Sequence, residues 1–381
     1  MSSEQLTAPS VDQRDTRPAL SAPDALSPAA LADARRSQPA RGLSGLLFVL
    51  PVTVLIAAGA GGPTHSLVVL GPIATFSLPL VAMIAFWWED WPGSLLRGGW
   101  SGLYNTGLVV AGGLLLTVLG QGVVHGFDLT GIVDPVPGHP ATYPGTLPLA
   151  AGIFTIMLQL TLVCERWPLD GIGRIRAGVV ALVVCWAAGV VVYVLLIRTE
   201  VVPGENYGAW LTASGVWQMI WYVALRGWPF ARISRRAPRL VIANVVVLAC
   251  GEGTYAVARD VVGWAPGRIT AVGGAGIASV LLVSMLLEAW PGIRLAPLPG
   301  RSLALVIIVL LTALLSWVLP MLARGLGVPA AQADGWATHA SLNAMSLAVI
   351  LHVAVWRRWL AAGPAGEQGV PSPRPMRSPA S

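Results

Sequence analysis

The chain has 381 residues, 55% apolar and 11% charged, with a mean hydropathy of +0.69. A soluble domain carries about a quarter charged residues to keep its surface wet, so this composition excludes one. All 24 basic residues are arginine and they cluster beside apolar runs, so the net charge of +6 speaks for topology and anionic headgroups rather than nucleic acid.

Residues 1 to 41 are rich in Ser, Ala, Pro, Asp and Arg, without an apolar stretch long enough for a signal-peptide core. They read as a disordered tail, with Leu43 opening the first membrane span. Apolar stretches then follow near 43–60, 65–88, 104–124, 147–165, 177–197, 208–226, 239–260, 268–288, 302–323 and 337–356. Each approaches the twenty or so residues an α-helix needs to cross about 30 Å of hydrocarbon. None alternates as a barrel strand does, and lipid leaves no backbone group unpaired. The expected fold is therefore an all-α polytopic membrane protein of about ten transmembrane helices over residues 42–360. Residues 361–381, rich in Pro and Ser, form a second expected tail.

Arginine sets the orientation. The N-tail, the segments after spans two, four, six and eight, and the C-tail hold 20 of the 24, and the opposite side holds Arg198, Arg259, Arg268 and Arg324. By the positive-inside rule both tails are cytoplasmic, in agreement with an even span number. With the coding bias that an all-arginine, Ala- and Gly-rich chain implies, the expected location is a bacterial cytoplasmic membrane.

A repeat overlies the spans. Trp91-Pro92, Trp167-Pro168, Trp228-Pro229 and Trp290-Pro291 stand at the cytoplasmic ends of even spans, and Trp359-Leu360 is a degenerate fifth copy. Glu89, Glu165 and Glu288 precede three of them by two residues, and Arg226 takes that place in another. Proline stops a helix and tryptophan favours the headgroup level, so the pair reads as a stop and anchor, with a vestibule of glutamates as the functional alternative. The predicted unit is one helical hairpin, repeated five times. Two-span units run parallel, unlike the inverted repeats of many transporters.

Positions that break the repeat mark candidate sites. In span seven these are Asn244, Glu252, Tyr255 and Arg259, where the matching offsets to Glu252 hold Leu115, Val191 and Leu314. A carboxylate inside the apolar slab needs a partner or water, and Tyr255 and Arg259 lie within reach along one face. The glycines beside Glu252 would let a helix or ligand approach closely. The longest outer loop carries His125, Asp128, Asp134 and His139, weak candidates for a metal because no tight ligand spacing joins them. Gln159, Gln218, Asn343 and His352 read as isolated interhelical hydrogen-bond formers. Cys164, Cys185 and Cys250 show neither a disulfide framework nor metal spacing. Phosphate-loop, zinc-protease and serine-hydrolase motifs are absent from the sequence, and no cofactor is expected.

The expected function is that of a permease-like protein moving a small solute or lipid, with span seven on the path. The alternatives are a membrane scaffold or assembly partner for another membrane protein, and an intramembrane enzyme using Glu252 on a lipid-borne substrate.

Overall fold

The computed structural model describes residues 28–133 and 138–358. Residues 1–27 and 359–381 of the expected tails lie outside the described residues. Residues 28–41 do not follow the expectation of a tail: Pro28–Ser37 is helical and Arg41 already belongs to the first span. The helix is tied down, with Arg35 Nε donating to the Ile293 carbonyl at 2.9 Å.

The described residues are helical, without a strand among them, as an all-α multi-pass membrane protein requires. We name the helices α1 (Ala40–Ala58), α2 (Pro63–Trp87), α3 (Gly99–His125), α4 (Leu147–Val163), α5 (Arg174–Arg198), α6 (Gly204–Met219, carried on by Ile220–Ala224), α7 (Arg236–Val261), α8 (Pro266–Leu286), α9 (Pro297–Gly325) and α10 (Ala330–Val355). Eight are long and apolar enough to cross a membrane; α4 is shorter, and Thr212, Ser214 and Gln218 dilute the apolar run of α6. Proline stands in the first turn of α2, α8 and α9, where its missing N–H costs nothing.

The even helices form an inner ring. α2 packs on α4, α4 on α6, α6 on α8, α8 on α10, and α10 returns to α2. One apolar cluster runs through all five, including Leu78, Ile153, Met219, Leu281 and Leu347. The odd helices lie outside, seated on this ring.

The hairpin that the contacts define differs from the one expected. Among the odd helices, each even helix packs most closely on the one that follows it through the Trp-Pro turn, as α2 on α3, α4 on α5, α6 on α7 and α8 on α9. Trp-Pro is therefore the tip of a packed hairpin rather than the end of one. The fifth pair joins the last helix to the first: Trp336 Nε1 donates to the Ala57 carbonyl at 3.0 Å and His339 Nε2 lies 3.1 Å from the Ile56 carbonyl.

The helix stop also differs. Helical structure ends at Trp87, Val163, Ala224, Leu286 and Val355, four residues before each Trp-Pro or its degenerate copy, so proline is not what ends it. The last turn widens to i→i+5 bonds, and an N–H six residues on closes it: Asp90 to Ile84, Arg166 to Leu160, Gly227 to Trp221, Ala289 to Val283 and Arg358 to His352. The two residues before each Trp have positive φ, from Arg357 at 48° to Gly227 at 76°. This is a left-handed helix cap of the kind glycine usually makes, here built mostly from charged residues. Each Trp-Pro peptide is cis and leads into a short 3-10 turn.

Candidate functional site

The charged caps pair with the starts of outer helices. Glu165 takes both Arg239 Nε and Nη2 at 2.7 Å, a two-pronged contact, and Arg236 reaches Asp170 at 2.5 Å. Glu89 meets Arg174 at 3.2 Å, and Glu288 meets Arg358 at 3.0 Å and Arg41 at 3.9 Å. In the third copy, where arginine replaces glutamate, Arg301 of α9 lies over the Trp228 ring at 5.6 Å. The glutamates therefore bind protein arginines and do not line a vestibule on their own.

Asp90 anchors the most buried part of this belt. It accepts from Asn105 Nδ2 at 2.5 Å and from Ser101 at 3.3 Å, and pairs with Arg357 at 2.6 Å, while Asn105 Oδ1 accepts the Gly93 N–H at 3.0 Å. Burial raises the Asp90 carboxyl above its ordinary value, against the pull of Arg357, Asn105 and Ser101. Sequence reasoning missed this cluster, since Asn105 lies in an apolar stretch and its partner precedes it across the turn.

Deeper in the helices, three amides form a chain. Gln218 of α6 donates to Gln159 of α4 at 2.6 Å, and Gln159 donates to Asn244 of α7 at 2.6 Å. Asn244 in turn lies 3.6 Å from Cys164 Sγ. Gln159 and Gln218, which read as isolated, are thus linked, and the candidate Asn244 bonds to Gln159 of α4 rather than to Glu252. A second polar group sits on α10, where Asn343 donates to the Gly71 carbonyl at 3.3 Å and stands 3.5 Å from His339 Nδ1.

The structure separates the other span-seven candidates. Arg259 binds Asp260 at 2.6 Å, reaches Tyr255 Oη at 3.4 Å and lies 5.0 Å over the Tyr255 ring. Glu252 is not brought to either. It is exposed on the outward face of α7, and no hydrogen bond or ion pair joins it to the described residues. Tyr255 itself is buried against α6 and α8, with Ala209, Ala213 and Ile269.

In the loop between α3 and α4 Asp128 pairs with His139 at 2.9 Å, and Gln121 Nε2 bonds the Asp128 and Pro140 carbonyls. The His139 hydrogen bond holds the Asp128 carboxyl below its ordinary value of 3.8. His125 points elsewhere, against Gly145, where an added Cβ would come 2.5 Å from its Nε2. Asp134 lies outside the described residues. Among those that are described, no group of three or more His, Cys, Asp or Glu is placed to hold a metal ion.

No protein-family profile, curated protein or solved structure matches the chain. Its reading rests on its own geometry.

Proposed function

We propose that the protein is a permease-like carrier in a bacterial cytoplasmic membrane, moving a small neutral solute, or the polar end of a lipid, along its inner ring. The observation that carries this reading is a set of buried polar atoms on inner helices: Ser214 Oγ, Gln218 Oε1, Ser284 Oγ and Asn343 Oδ1 have no partner among the described residues. A static scaffold would satisfy such atoms within itself, because each one left unmade in a low-dielectric interior is costly. Polar groups at membrane depth are expensive and mark pathways by default. Beyond their first residues the inner helices carry no Asp, Glu, Lys or Arg, which favours a solute that forms hydrogen bonds without charge. The chain Gln218–Gln159–Asn244 supplies amides for it.

The scaffold reading keeps one observation of its own, the apolar cluster shared by all five inner helices, which is what a packing unit needs. Reconstituted vesicles separate the two. In stopped-flow reswelling with urea and glycerol, and in dithionite quenching of a fluorescent lipid, the carrier moves at least one probe several-fold faster than empty vesicles do. Gln218→Leu slows that probe. Rates equal to empty vesicles for all three probes would leave the scaffold.

A further inference from the structure

On the outside of the molecule, α7 breaks a rule that α3, α5 and α9 keep. At the register of Glu252, helices α3, α5 and α9 present Leu115, Val191 and Leu314 to lipid, exposed by 60%, 54% and 51%. Glu252 occupies that outward position with a carboxylate. At 1.5 Å per residue it stands ~20 Å along the helix from Arg239, and Arg259 is ~10 Å further on. It therefore stands inside the apolar slab, between the two charged ends of the helix.

The surface around it is shaped for close approach. Ala249 and Gly253, four residues apart, are both exposed beside Glu252, and a Cβ on Gly253 would meet nothing within 4 Å. A shallow apolar groove of about 490 Å³ continues from Gly253 past Thr254 and Val257 to Trp264. Small residues four apart are what lets two membrane helices bring their backbones together.

We propose that this face of α7 is the docking site for a transmembrane helix of another protein that carries an Arg or Lys at the depth of Glu252. Charge decides the occupant. A carboxylate in hydrocarbon calls for a cation, and among the described residues none is paired with it: Arg259 is held by Asp260, and Arg268 by Asp334 and the Ser316 carbonyl. A second copy of the chain would bring a second carboxylate to the first, leaving both unanswered. A basic residue on a foreign helix answers the charge, and the small residues let that helix come close enough to do so. The proposal stands whether or not the inner ring carries a solute.

The test uses the full chain, fluorescently labelled, in vesicles of neutral lipid with synthetic single-span Leu-Ala peptides. One peptide carries Arg at the depth of Glu252, one Glu, and one neither. Energy transfer is expected to show the Arg peptide binding at least about tenfold more tightly than the plain peptide, a difference of about 1.4 kcal/mol. Glu252→Leu, which copies the residue at Leu115 and Leu314 and so keeps the helix intact, removes that preference; its helicity and melting serve as the folding control. Equal binding of the Arg and plain peptides overturns the proposal. So does self-association of the labelled chain that Glu252→Leu abolishes in the absence of any Arg preference, because the occupant would then be a second copy.

Discussion

The inner and outer helices are alike in hydropathy and opposite in environment. Windows of α2, α8 and α10 are 72–78% buried, while those of α1, α3, α5, α7 and α9 are 22–33% buried. Their mean hydropathies overlap, from 1.4 to 2.2 inside and from 1.7 to 2.8 outside. Lipid tails are as apolar as leucine, so hydropathy gives a membrane helix no reason to be in the core. What sorts these helices is side-chain size and polarity at the contacts: an outer helix turns glycine or alanine inward and its large aliphatic residues outward. Gly178 of α5 shows the first, with the Trp88 ring where a Cβ would stand.

The largest effect expected from this contrast is steric. Gly113 faces α2 so closely that an added Cβ would lie 1.9 Å from Ser77 Oγ, while Gly107 on the same helix has nothing within 4 Å. Gly113→Leu is expected to cost about 3 kcal/mol by overpacking. Gly107→Leu, on the lipid face, should stay within about 0.5 kcal/mol. Steric-trapping measurements in bilayers that found equal losses would erase the distinction between the two rings.

A smaller effect belongs to the polar contact between rings. Asn105→Ala leaves the Gly93 N–H and the buried side of Asp90 without their partner and is expected to cost about 1–3 kcal/mol. Thermal unfolding in detergent reads it directly, and a change near zero would mean that the belt is ornamental to stability.

The smallest effect separates the bundle from its loop. Because the native Asp128 carboxyl sits below 3.8, its pairing with His139 is present above that value and is lost as pH falls through the lower native one. Hydrogen exchange corrected for its intrinsic rate should show residues 128–133 losing protection on acidification while the helices keep theirs. His139→Ala should abolish that pH dependence; if it persists in the variant, another group is responsible.

The fold class was legible because apolar length and arginine clustering are local properties. The recurrence of Trp-Pro was visible in the sequence, but its place in the packing was not, since the pair marks a tip or an end with equal ease until contacts decide. The helix stop misled for a related reason: proline is the visible breaker, whereas the helix has ended four residues earlier and the cap is made by the two residues before each Trp, mostly charged, which sequence propensity does not place at positive φ. Among site residues, Glu252 stood out by its type and depth, but its direction depends on which face of α7 meets α6, which one sequence cannot tell. Gln159, Gln218 and Asn244 were visible one by one. Their linkage needed the ring.

Ring closure has a consequence for synthesis. The partner of the first helix is the last: 283 residues separate the Ile56 carbonyl from His339, which lies beside it. At the ribosome's pace of about 5–20 residues per second, α1 waits roughly 15–60 s in the bilayer before α10 exists. During that interval α1 can pack on α2, but the face that Gly45 and the Ile56 carbonyl turn toward α10 has no partner yet. Assembly of this protein thus holds one face of its first named helix in reserve until its last named helix is made.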